Sequence, residues 1–126
     1  MSSMTLFFVA AGGAVGAALR YLVGQFAARA FGTGFPWGTF SVNLIGSLLM
    51  GLAAGALIDR VDPKWAAFAT TGVLGGFTTF STFSLDAALL IERGESGLSL
   101  LYMAGSVVAG VALLFIGLWL GRSLVS

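Results

Sequence analysis

The sequence predicts an all-α integral membrane protein with four transmembrane helices. Three observations carry this. Of the 126 residues, 58% are hydrophobic and only 9% charged, whereas a soluble domain carries about 25% charged residues. Mean hydropathy is +1.01. The eleven charged positions also leave four long uncharged stretches between them, each about the 20 residues needed to cross a bilayer. The length suits one domain, so residues 1–126 are read as a single four-span unit.

The same arithmetic excludes several functions. A net charge of +1 gives no field for polyanions, so no nucleic-acid partner is expected. With no Cys there is no disulfide frame or thiol nucleophile, and with no His the common metal ligand and proton shuttle is missing. No enzyme chemistry is expected. The partner the composition demands is membrane lipid.

The expected spans are residues 4–26, 37–58, 65–91 and 98–120, which puts both termini on one side. The connections are a Gly/Pro turn through Phe31–Pro36, a charged turn through Asp59–Lys64, and a turn through Glu92–Gly97 holding two glycines. Asp62-Pro63 is a good start for the third helix, because Asp caps and Pro suits the first turn. Trp37, Trp65, Tyr102 and Trp119 are expected as interfacial anchors. Met1–Leu19 contains no Lys or Arg. It therefore lacks the positive n-region of a signal peptide and is read as a retained span.

Orientation is undecided by charge. Arg60, Lys64 and Arg122 lie on the side of the termini. Arg29 and Arg93 lie opposite, joined by Arg20 if it reaches that interface. So even a count gives the positive-inside rule almost nothing to act on. Either a chain with few charges shows noise, or it inserts both ways and pairs head-to-tail. Four spans cannot enclose a wide aqueous path, which favours an oligomer. The 19 glycines include GxxxG pairs at Gly12/Gly16, Gly51/Gly55, Gly72/Gly76 and Gly117/Gly121. Such spacing lets helices approach closely, within one chain or between chains.

Polar residues inside the spans carry the functional information. In the third span, Gly75-Gly76 lowers helix propensity, and Thr78, Thr79, Ser81, Thr82 and Ser84 put five hydroxyls within seven residues. A lone hydroxyl usually bonds its own i−4 carbonyl. Five beside a glycine pair predict a third helix broken mid-membrane, which survives only where it is buried in protein or lines a polar cavity. Phe77, Phe80 and Phe83 recur every third residue and are read as a ridge. This is either packing or a row of positive ring edges that could meet an anion. Asn43, the only Asn, lies in the second span with Ser41 and Ser47 nearby; its amide is either interhelical glue or a donor to a ligand. Tyr102 and Ser106 share a face of the fourth span. No acid precedes Asp59, and Asp86 is read as marking the third helix's exit toward water. A path of neutral donors without a carboxylate suits a small anion better than a proton or a cation.

At these residues the sequence resembles the Fluc/CrcB family of small bacterial fluoride channels. The resemblance rests on Gly12-Gly-Ala-Val-Gly-Ala-Ala-Leu-Arg20, on Gly38-Thr-Phe-Ser-Val-Asn43 with Gly46, and on Gly72-Val-Leu-Gly-Gly-Phe-Thr-Thr-Phe-Ser-Thr-Phe-Ser84. It implies a passive, fluoride-selective channel that exports cytosolic fluoride and protects the cell. The channel would be an antiparallel dual-topology homodimer in the bacterial plasma (inner) membrane. Asn43, Phe80 and Phe83 would line the fluoride pore, with Ser81, Thr82, Tyr102 and Ser106 continuing its polar track, and Arg20 would sit near the vestibule. The carbonyls of Gly75 and Thr78 would hold a structural sodium ion at the dimer interface. Where the family pattern leads one to expect Glu, this chain has the shorter Asp86. The competing readings are a small multidrug-type four-span exporter, which would need an early membrane Glu, and a non-transporting assembly subunit, in which Asn43 and the phenylalanines merely pack.

Overall fold

The computed structural model describes residues 3–126, and among them every regular element is helical. Helix α1 spans Ser3–Phe31 and α2 spans Trp37–Ala56. The third crossing is made of pieces. They are α3 (Pro63–Ala67), a π-helical stretch (Phe68–Leu74), α4 (Gly75–Phe77) and α5 (Phe80–Glu92). Helix α6 spans Ser96–Val125. Four segments, Ser3–Phe31, Trp37–Ala56, Pro63–Glu92 and Ser96–Val125, are long and apolar enough to cross a membrane. The protein is a multi-pass membrane protein.

Local chemistry explains where the helices stop. Helix α1 continues past Arg29 until Gly32, whose φ of +78° is the left-handed conformation that ends helices, and whose N–H bonds the Ala28 carbonyl at 3.0 Å. Gly94 (φ +82°) does the same after α5. As the sequence predicts, Asp62 caps α3: its carboxylate accepts the Lys64 N–H at 3.0 Å, with Pro63 in the first turn.

Two close helix pairs build the protein, and the four GxxxG pairs make both of them. Gly12 and Gly16 of α1 lie against Gly72, Val73 and Phe77 of the third crossing, and Gly76 lies against Gly13. Gly51 and Gly55 of α2 lie against Gly117 and Gly121 of α6. A Cβ on Gly76 would stand 2.7 Å from the Gly13 carbonyl oxygen, and one on Gly121 2.7 Å from that of Leu52. Backbone touches backbone at these points, and lipid supplies no hydrophobic force to replace that contact. Helix α5 joins α6 through fully buried Ser99, whose hydroxyl donates to the Ala87 carbonyl at 2.8 Å. Beside it, Ala87, Leu90 and Tyr102 form a buried apolar cluster. Tyr102 is fully buried and is no interfacial anchor, because α6 begins at Ser96 and carries it two turns in.

A paired substitution tests this packing. A Cβ on Gly16 would collide with the Val73 carbonyl, whereas one on Gly13 meets nothing within 4 Å. Gly16→Ala should destabilise the protein by about 1–3 kcal/mol, the usual cost of overpacking, and Gly13→Ala should leave it intact. Thermal unfolding in detergent reads the difference; equal midpoints would contradict the packing described.

Candidate ion path

The third crossing stops being helical between α4 and α5. Thr78 (φ −89°, ψ 161°) and Thr79 (φ −154°, ψ 126°) are extended. Extended backbone forfeits its i→i+4 bonds, and inside a membrane no water replaces them. Asn43 of α2 replaces them instead. Its side-chain NH₂ donates to the Thr79 carbonyl at 3.1 Å, and its side-chain carbonyl accepts the Thr79 N–H at 2.8 Å. One amide thus satisfies both backbone groups of the residue in the gap. Thr79 then caps α5, accepting the Thr82 N–H on its hydroxyl at 3.2 Å.

These bonds decide which carbonyls are left over. In a continuous helix the Gly75 carbonyl would receive the Thr79 N–H, which goes to Asn43. The Thr78 carbonyl would receive the Thr82 N–H, which goes to the Thr79 hydroxyl. The Gly76 carbonyl is taken by Arg20, whose Nε donates to it at 3.0 Å from α1. A cation at this carbonyl end of a helix also suits the helix dipole. Arg20 is therefore bonded to the backbone of the third crossing, and the Gly75 and Thr78 carbonyls lack the N–H groups that a continuous helix would bring them.

The interruption opens onto a cavity of about 340 Å³. Asn43, Thr79, Phe80, Phe83 and Ser106 line it, with Gly46 and Ser47 at its wall. Most hydroxyls nearby are already committed: Ser47, Thr78 and Ser84 each donate to the carbonyl four residues earlier, at 2.8, 3.0 and 3.0 Å. Ser81 is exposed, with its hydroxyl 3.4 Å from that of Thr79. Thr82 contributes its backbone N–H to the cap. Ser106 differs. Its hydroxyl is buried and has no hydrogen-bond partner among the described residues, a state that costs stability unless something visits.

A row of rings leads onward. Phe80, 79% exposed, lies 5.8 Å from Phe83, and Phe83 lies 5.1 Å from Tyr102. The Tyr102 hydroxyl donates to the Asp86 carboxylate at 3.2 Å. Asp86 and Thr39 line a second cavity of about 300 Å³ beneath the α1–α2 loop. Phe77 does not join the row. It is buried in α4, and the gap at Thr78-Thr79 resets the phase between it and Phe80. Nor does Asp86 mark a helix exit: it is half-buried, α5 continues to Glu92, and the carboxylate is the acceptor for Tyr102. No cluster of three or more acids, histidines or cysteines suited to a metal exists among the described residues.

The family model described as CrcB-like protein, Camphor Resistance (CrcB), matches residues 7–118. The chain belongs to the CrcB family. A fluoride-specific ion channel FluC 2 of Nitrobacter hamburgensis is 55% identical to it over 123 residues, covering 96% of this chain and 99% of that one. A fluoride-specific ion channel FluC of Agrobacterium fabrum is 50% identical over 123 residues, covering 96% and 98%. One from Novosphingobium aromaticivorans is 53% identical over 118 residues, covering 91% and 94%.

In this CrcB chain the structure brings together Asn43, Phe80, Phe83 and Ser106 at one cavity, and Tyr102 with Asp86 at the next. Thr39 and Ser99 escaped the sequence reading, since a single hydroxyl in a membrane helix carries no signal until its partners are known. Asn43→Ala leaves the Thr79 N–H and carbonyl without partners, each costing about 1–3 kcal/mol when buried. It should therefore lower the thermal midpoint well below that of Ser47→Ala, which removes only a back-bond to a carbonyl of its own helix. Equal midpoints in a detergent melt would mean that Asn43 does not hold the interruption.

Proposed function

We propose that this protein is a passive fluoride-selective channel, not an enzyme, that lets cytosolic fluoride leave down its electrochemical gradient. The observation that carries the proposal is the partnerless buried hydroxyl of Ser106, a residue that lines one cavity with Asn43 and the Phe80–Phe83 pair. Fluoride is small and strongly hydrated, so a site that takes it must substitute several donors for water. A hydroxyl, the second amide N–H of Asn43 and the positive edges of two rings are neutral donors. They bind more weakly than a buried Lys, as conduction demands. The relatives named as fluoride-specific channels support the choice of ion.

The path would run from the Ser106 cavity past Phe83 and Tyr102 toward Thr39, with the Asp86 carboxylate engaged by the Tyr102 hydroxyl instead of serving as an ion ligand. Ser81 and Thr82 contribute backbone and hydroxyl dipoles at its flank, and Arg20 contributes a fixed positive charge at the Gly76 carbonyl. Hydrogen fluoride crosses membranes as a neutral acid and ionises in the less acidic cytosol. An inside-negative potential then drives the anion out, with about 2.3 kcal/mol per charge per 100 mV. A plasma membrane of a bacterium supplies that potential. Neither alternative is favoured. An exporter of the multidrug type would want an acid early in the chain, and none precedes Asp59. An assembly subunit has no use for an unpaired buried hydroxyl.

We further read the interruption at Thr78-Thr79 as a break at membrane depth, facing a second copy in an antiparallel, dual-topology homodimer. Two features support this. Phe80 is 79% exposed in a single chain although it sits at the cavity's edge, and the nearly even charge of the two ends allows both insertions. One chain's Gly75 and Thr78 carbonyls give two oxygens; a second copy would double them and could surround one sodium ion. When bound, such an ion would neutralise the carbonyl ends gathered at the interface.

Ser106→Ala separates conduction from folding. It removes an unsatisfied polar group, so stability should hold or rise, while fluoride efflux from liposomes should fall by an order of magnitude or so, the scale of one lost donor bond. Unchanged efflux would remove Ser106 from the path. For the dimer, a tag on the C-terminus should be found on both faces of the membrane in comparable amounts; a single orientation would rule out the antiparallel arrangement.

A further inference from the structure

Resting on the channel reading, we propose that Phe35, in the loop between α1 and α2, is a positioning residue for the ion path. Its ring packs edge-on against Tyr102, with centroids 5.4 Å apart and planes at 87°. Tyr102 is the fully buried residue whose hydroxyl is held by Asp86 and whose ring meets Phe83. Phe83 and Phe35 are thus the path-side and loop-side neighbours of one buried ring. A tyrosine turns about two side-chain bonds, and hydrogen bonding at its hydroxyl, with Asp86 and Thr39, fixes only its tip. Three ring contacts, with Phe35, Phe40 and Phe83, fix the plane, and with it the point where the hydroxyl meets Asp86.

The loop has no regular structure to hold Phe35 there, so tethers matter. Gly32 begins it in the left-handed conformation, and Pro36 ends it with a restricted φ. Phe35 also packs on Trp37 at 4.6 Å and on Phe40 at 5.6 Å. From the far turn, the Arg93 guanidinium donates to the Gly34 carbonyl at 3.1 Å while pairing with Glu95 at 3.1 Å. Arg93 and Phe35 both line the cavity that holds Asp86, so the loop is its roof and Arg93 the tie across it. Arg93 is half exposed, and such bonds contribute little, so the ring contact outweighs the tie.

The test measures fluoride efflux from liposomes per unit of folded protein, for the parent, Phe35→Leu, Phe35→Tyr, Arg93→Gln and Arg93→Lys. Phe35→Leu keeps apolar bulk but loses the flat edge, and should slow efflux about tenfold or more, as misplaced site groups do. Phe35→Tyr keeps the ring and should restore most of the rate. Arg93→Gln should cost roughly two- to threefold, with Arg93→Lys closer to the parent. Thermal midpoints run alongside separate lost positioning from lost folding. Efflux of Phe35→Leu equal to the parent's, a Phe35→Tyr rate as low as that of Leu, or a loss only in step with the folded fraction would each overturn the proposal. A parent that passes no fluoride would overturn the channel reading itself, so the two failures are distinguishable.

Discussion

The arrangement of this protein depends on one side-chain amide. Where the third crossing becomes extended, Asn43 takes both the N–H and the carbonyl of Thr79. Without it, two backbone groups in the gap would lose their partners. With it, α5 starts afresh at Thr79. Phe80 and Phe83 take a new phase relative to Phe77, and the carbonyls of Gly75 and Thr78 lose the N–H groups that a continuous helix would bring them. The cavity, the ring row and the spare oxygens all follow from that pairing.

The glycine contacts bring Asn43 within reach. Gly46, three residues on, lies so close to the third crossing that a Cβ there would collide with the Thr78 methyl group. On either side, α1 is docked to the third crossing and α2 to α6 through backbone-to-backbone contact at the GxxxG pairs. Side chains at these points would push the helices apart by ångströms, beyond the span of an amide hydrogen bond. Small residues and one polar residue therefore act together: the first set the distance, the second uses it.

Much of this was legible in the sequence because membranes make strong rules. Four uncharged stretches gave four helices long and apolar enough to cross a membrane, and Asp62-Pro63 gave a helix start. Asn43 stood out as the only Asn, in an uncharged span, with glue and ligand donor equally open; the structure gives it the first role through Thr79 and leaves one N–H for the second. Other features were illegible for a physical reason: they are pairings between distant residues. Nothing local assigns Tyr102 to Asp86, Ser99 to the Ala87 carbonyl or Arg20 to the Gly76 carbonyl. The repeat of Phe77, Phe80 and Phe83 misled because helical spacing describes a ridge only while the helix is unbroken. The aromatic-anchor rule failed at Tyr102 because α6 begins at Ser96 and carries the ring two turns in, to a fully buried position.

The central claim is that this chain conducts fluoride through neutral donors and excludes larger anions. Purified protein in liposomes loaded with fluoride, then with chloride, tests it directly when efflux is followed with an ion-selective electrode. The account predicts fast fluoride release and no chloride release above that of empty vesicles. Equal passage of both ions, or of neither from vesicles that contain folded protein, would contradict it.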